Sequence, residues 1–174
     1  MCRLLNIRGA DSPSNPIAKG FAVLNADTTV DLLMTSSKLD GLEDHLGDMV
    51  RVHPPSNFLK HLESLKAKVR LDKSSVPMIV ADAIGNGVVW GDEPCALPKA
   101  CKNAAEIAGS SEAHLRDGSA VVELLAWLDA HDAVSLTETQ VVAQLDCYRR
   151  RDNALQDISF ETISGPGPNG SIIP

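Results

Sequence analysis

Between Asp92 and Asn103 the sequence reads "DEPCALPKACKN", and this stretch limits the possible folds more than any other because the chain is patterned differently on its two sides. Before it, short apolar runs alternate with helical periodicity. After it come two long helical patterns and one apolar run. Each proline removes a backbone donor and biases its predecessor towards extended backbone, so the stretch reads as a boundary. The expected division is residues 1–98 and residues 99–174.

In the first region "RLLNIRG" reads as a short strand ending at Gly9, followed by a Pro- and Ser-rich loop. "FAVLNADTTVDLLM" holds two apolar runs around Asn25, Ala26 and Asp27, the pattern of a hairpin. Leu39, Leu42 and Leu46 share a helical face that Gly47 would close, and "MVRV" reads as a strand. Ser56 is placed to cap a helix carrying Phe58, Leu59, Leu62 and Leu65 on its apolar side. "KVRLD" is a strand, Ser75 and Pro77 open a helix stopped by Gly85 or Gly87, and "GVVWG" is a strand again. Alternation of this kind predicts an α/β fold, a mixed sheet with flanking helices.

In the second region Asn103 and Glu106 have the spacing of a capping box, opening a helix over about Ala104–His131 with Ile107, Leu115, Val122, Leu125 and Leu128 on one stripe. Thr137 and Gln140 form a second such box, before a helix presenting Val141, Val142, Leu145 and Tyr148. "ISFETIS" is the one strand expected there. Two helices and a single strand cannot cover their own apolar faces, so this region reads as the start of a domain.

A net charge of −7 opposes a nucleic-acid surface. The basic run "CYRRRD" is assigned to a helix end, where cations complement the dipole. No run nears the roughly 20 apolar residues of a membrane span, and the start lacks a signal-peptide core, so a cytoplasmic location is expected. Cys2, Cys95, Cys101 and Cys147 lack metal or redox spacing and read as free thiols. His45, His53, His61, His114 and His131 read as helix-surface or turn residues without convergent partners. Asp157 is the carboxylate nearest the last strand, "GPGPNG" reads as a turn, and Ser159, Ser164 and Ser171 have no base beside them. From the residues, then, no catalytic constellation is expected.

The words "PKACKN", "AEIAG", "AHLRDG" and "WLD", with "LLNIRGAD" upstream and "LTETQVVAQLDCYRR" and "ISFETISGPGPNGSII" downstream, stand in register along nearly the whole chain. In this set the chain resembles the Xaa-Pro aminopeptidases, or aminopeptidase P, of the creatinase and pita-bread metallopeptidase group. The resemblance implies that residues 1–98 are the later part of a creatinase-type amino-terminal domain. It makes residues 99–174 the first two helices and first strand of a pita-bread α+β catalytic domain. It also implies removal of the first residue of a peptide whose second residue is proline, with two divalent ions, usually manganese, activating a bridging hydroxide.

The departures qualify this. In the family, "GPNGxII" leads directly to a substrate-handling histidine, and here Pro174 occupies that position. Ile172 and Ile173 would form the edge of the substrate pocket. The family's metal ligands, two aspartates, a histidine and two glutamates, lie further along than residue 174, so no catalytic or metal residue carries over. Met1 likewise falls in mid-domain. The expectation is an incomplete Xaa-Pro aminopeptidase, ended by a frameshift and early stop or by a cloning boundary with a substitution, and inactive alone. The alternative is a non-catalytic interaction module, or a regulatory partner of a full-length relative, that self-associates through bare apolar faces. A peptide substrate is expected only of the full-length family, and neither nucleic acid nor membrane as a partner.

Overall fold

The computed structural model describes residues 4–151, 153–165, 167 and 170. The chain forms two units, Met1–Cys101 and Lys102–Pro174, each with its own apolar cluster.

The first unit is built on the expected hairpin. Strands β1 (Phe21–Leu24) and β2 (Val30–Leu33) run antiparallel, with Phe21 opposite Leu33 and Leu24 opposite Val30. The turn is closed by Asn25 N–H donating to Thr29 O at 2.9 Å and Thr28 N–H donating to Asn25 O at 3.0 Å. Strand β3 (Val50–His53) joins β2 in parallel, after the short helix α1 (Glu43–Leu46). Gly47 stops α1 at φ 60°, a conformation that side-chain-bearing residues resist.

β2 is buried at all four positions. Because side chains alternate across a strand, it has two kinds of face. Val30 and Leu32, continued by Met34, look towards Ile7, Ala18 and Leu39, the first unit's core. Asp31 and Leu33 look the other way.

Helix α2 (Phe58–Ser64) follows, its Phe58 ring stacked on Phe21 at 3.8 Å. It does not begin on a Ser56 cap. Pro55–Asn57 wind into a 3₁₀ turn that runs straight into the helix, and Asn57 at the cap position makes no side-chain cap bond. Strands β4 (Val69–Leu71) and β5 (Val88–Trp90) form a separate parallel pair, joined through α3 (Met78–Ile84), which packs on α2. α4 (Ala96–Ala100) ends the unit. The sheet is thus mixed and flanked by helices, as expected, in one three-stranded and one two-stranded piece.

The strand expected at "RLLNIRG" is absent from its described part. Leu4 and Leu5 turn, and Asn6 adopts φ 49°, which breaks an extended run. Ile7 still reaches the core at 3% exposure.

In the second unit both capping boxes form. Asn103 Oδ1 accepts from Glu106 N–H at 2.9 Å while Glu106 Oε2 accepts from Asn103 N–H at 2.8 Å, opening α5 (Ala104–Asp129). Thr137 Oγ1 accepts from Gln140 N–H, and Gln140 Oε1 from Thr137 N–H, opening α6 (Glu138–Arg149).

The apolar stripe expected on α5 is not its packing face. Ala120 and Leu124 are buried against Leu145 of α6, with Val121, Trp127, Leu128, Val141 and Tyr148 around them. Ile107, Leu115, Val122 and Leu125 are exposed. The reason is direction: at about 3.6 residues per turn the stripe runs along the side of α5 away from Ala120 and Leu124, so Val122 and Leu125 stay exposed although their neighbours pack against α6.

Nor is "ISFETIS" a strand. Residues 158–164 are irregular, with Phe160 and Ile163 about 70% exposed. A strand needs a hydrogen-bonding neighbour, and no ladder partner lies beside this run among the described residues.

Candidate functional site

Among the described residues, the one buried polar or charged side chain is Asp31, at 5% exposure, in the first unit's sheet. It sits mid-strand on β2, and sheet register assembles its surroundings. Arg51 is its direct partner on β3, and His53, two residues on, points to the same face. Arg51 donates Nε–H to Asp31 Oδ1 and Nη2–H to Oδ2, each at 3.0 Å, the bidentate pairing that suits a guanidinium and a carboxylate. His53 Nε2 lies 2.8 Å from Oδ1, and Asn25 Nδ2–H donates to Oδ2 at 2.6 Å. Around the rim, Thr29 Oγ1 accepts from Asn25 and Arg51 and donates to Asp27.

α2 adds His61, whose Nε2 stands 3.8 Å from Asp31 Oδ2 and whose ring is 5.2 Å from that of His53. The sequence placed His61 on the surface. Its side chain is instead 19% exposed, and Nε2 is buried without a hydrogen-bond partner. Asp31 explains this: its two oxygens already receive four donors, and no lone pair is left for a fifth.

Burial by itself pushes the Asp31 carboxyl up. Hydrogen bonds from Asn25, His53 and Arg51, together with the guanidinium charge, outweigh it and hold the group at about 2. A carboxylate so weakly basic is a poor general base at neutral pH. Nor do these side chains fit a divalent ion: Asp31 is saturated by donors, and the guanidinium sets a positive charge where a cation would have to sit. Among the described residues no three His, Cys, Asp or Glu side chains are arranged to hold a metal. The cluster is a structural clasp, tying the hairpin to β3.

The other histidines are engaged locally. His45 Nε2 lies 2.9 Å from Leu5 O, while His114 and His131 place Nδ1 near the carbonyls of Ser110 and Trp127 one turn back on α5. The basic run stands at a helix end as expected, with Arg149 in the last turn of α6, and two of its arginines also form ion pairs. Arg149 pairs with Asp117 at 2.7 Å, and Arg151 pairs with Glu123 at 2.7 Å and lies over the Tyr148 ring. Cys95 and Cys147 are free thiols, and Cys2 lies outside the described residues. So do Ile172 and Ile173, the expected pocket edge, with Ser171 and Pro174. No described helix is long and apolar enough to cross a membrane.

Sequence spacing gave no sign of the Asp31 cluster, because its members lie on a turn, two strands and a helix. A carboxylate inside an otherwise apolar "VDLLM" run was the available signal: an acid on a buried strand demands partners.

Residues 1–106 match the family described as Creatinase/Prolidase N-terminal domain. The chain is 37% identical to a probable Xaa-Pro aminopeptidase P of Laccaria bicolor and 33% identical to one of Talaromyces stipitatus, in each case over 98% of this chain and 28% of the relative. An uncharacterized peptidase of Schizosaccharomyces pombe is 31% identical, over 98% of this chain and 29% of its own. The chain therefore spans less than a third of the length of these relatives. With more than half of its residues matched and the mixed sheet and flanking helices in place, this chain belongs to the creatinase/prolidase amino-terminal domain family.

Proposed function

We propose that these 174 residues are a non-catalytic portion of an Xaa-Pro aminopeptidase system and do not hydrolyse peptides alone. In this reading the whole protein removes an amino-terminal residue preceding proline, in the cytoplasm, with two divalent ions, manganese by preference, held by side chains of a pita-bread catalytic domain. Residues 1–98 are the later part of the amino-terminal domain and residues 99–174 the opening of the catalytic one. The carrying observation is chemical. The most concentrated set of titratable side chains described here, around Asp31, is saturated by its own donors and cannot accept a metal. Resemblance to the named relatives supplies the reaction class.

The test is to incubate the purified chain with Mn²⁺ and an Xaa-Pro-containing peptide and to follow release of the first residue by chromatography. No release above a heat-treated control is expected. Turnover that persists after repurification overturns the reading.

A second reading is favoured by the exposed side chains Ile107, Leu115, Val122 and Leu125 on α5. An apolar helix stripe left in water favours association. On this reading the chain is an interaction module that pairs with a second copy through α5. Sedimentation of the isolated chain decides: a discrete dimer abolished by Leu115→Ser supports it, and a monomer at all concentrations removes it.

A further inference from the structure

In the first unit Asn86 and Gly87 lie where α3 hands over to β5. In an asparagine followed by glycine, a main-chain nitrogen is the covalent neighbour of a side-chain amide carbon, and no Cβ hinders its approach. Every other described asparagine is followed by a residue that carries a side chain.

The fold leaves this pair open to reaction. Asn86 is exposed, and its side-chain amide makes no hydrogen bond among the described residues. It stands in a single 3₁₀ turn, Gly85–Gly87, closed by Val88 N–H donating to Gly85 O. One such turn opens at low cost, which lets the Gly87 nitrogen swing towards Asn86 Cγ. Packing keeps residue 87 small: a Cβ there would stand 3.2 Å from Ile84 Cγ2, tighter than ordinary contact. Asp40 and Asp117 also precede glycines, but they carry carboxylates, from which no ammonia can leave. Asp117 is further held by Arg149 at 2.7 Å on the long helix α5.

We propose that Asn86 is a site of spontaneous modification, at which the chain deamidates itself through a succinimide to aspartate and isoaspartate. The Gly87 nitrogen bonds to Asn86 Cγ and gives up its proton, and the side-chain nitrogen leaves as ammonia, closing a five-membered ring. Water then opens the ring at either carbonyl. Opening at the former side-chain carbonyl leaves aspartate, and opening at the main-chain carbonyl leaves isoaspartate. One water is consumed and one ammonia released, with no oxidant or reductant. Isoaspartate routes the main chain through the old side chain, so one methylene enters just ahead of Gly87. Val88, the next residue, is the first of β5 and lies opposite Val69 of β4. The added length loosens that short parallel ladder, and one more negative charge joins the net −7.

The test incubates the full chain in warm, mildly alkaline buffer, folded or unfolded in urea, and digests samples with trypsin. Peptide 74–99 holds Asn86 as its sole asparagine and has no glutamine, so the mass gain from amide to acid in it reports this site alone. Methyl transfer from S-adenosylmethionine by an isoaspartyl carboxyl methyltransferase marks the isoaspartyl form. Both signals are expected in the folded chain, at a rate within about tenfold of the unfolded one, because the turn opens locally. Amide exchange at Val88–Trp90 is expected to quicken as conversion proceeds. Asn86→Gln changes an exposed side chain without a partner and enlarges the ring to be closed, and it is expected to lower both signals about tenfold or more. Four results overturn the proposal: conversion in urea only, mass gain without methylation, equal conversion in Asn86→Gln, or exchange at Val88–Trp90 unchanged by conversion.

Discussion

At the scale of single residues, Asp31 and Gly9 carry the clearest consequences. The Asp31 carboxyl titrates near 2 in the fold against an ordinary value of 3.8. Between those values the folded chain binds fewer protons than the unfolded one, so the stabilisation is complete above about pH 4 and is lost as pH falls through 2. Its size is about 2 kcal/mol, less whatever water at the half-exposed Arg51 screens away. Denaturation midpoints measured from pH 5 to pH 2 are expected to fall, and Asp31→Asn is expected to flatten that fall while lowering stability at neutral pH. Gly9 is a matter of space. A Cβ there would meet Ala18 Cα and Cβ at 2.9 Å, and both atoms are fixed by the backbone, so neither can swing aside. Gly9→Ala should cost about 1–3 kcal/mol in thermal or urea unfolding, with partial recovery in the double variant carrying Ala18→Gly.

At the scale of elements, burial and not apolarity decides which substitutions matter. Leu124→Ala or Leu145→Ala removes a side chain from the α5–α6 contact, and each is expected to lower stability by about 2–5 kcal/mol, read as loss of helical circular dichroism at lower denaturant. Leu115→Ser, on the same helix but 73% exposed, is expected to change it by no more than about 0.5 kcal/mol in the monomer. The cap of α5 is a separate contribution: Asn103→Ala deletes the acceptor for Glu106 N–H and should cost about 1 kcal/mol. In the first unit Leu32, with no exposure at all on the central strand, is the corresponding anchor. Its truncation to alanine should cost as much as that of Leu124.

At the scale of the whole molecule, two units with separate cores lead to an expectation of two unfolding steps. Leu124→Ala should move one and Leu32→Ala the other, by differential scanning calorimetry. Local chemistry settled much of this in advance. The hairpin, β3 to β5, the stop at Gly47 and both capping boxes were legible because each depends on side chains within a few residues of one another. Runs at 4–9 and 158–164 looked like strands in sequence, yet a strand is completed by a neighbour that no local pattern supplies. The stripe from Ile107 to Leu125 was legible as apolar, but which side of α5 would pack was not, because that depends on where α6 docks, beside Ala120 and Leu124. His61 is the sharpest case. Its burial beside Asp31 comes from α2 settling over a register between β2 and β3, and nothing within ten residues of it announces that. Sequence alone thus determined the order of elements, their caps and stops, and the family, all consequences of short-range spacing and of words in register. Tertiary structure decided which faces are buried, which acid is clasped by which bases, and which strand edges stand open, because those depend on groups brought together from far apart along the chain.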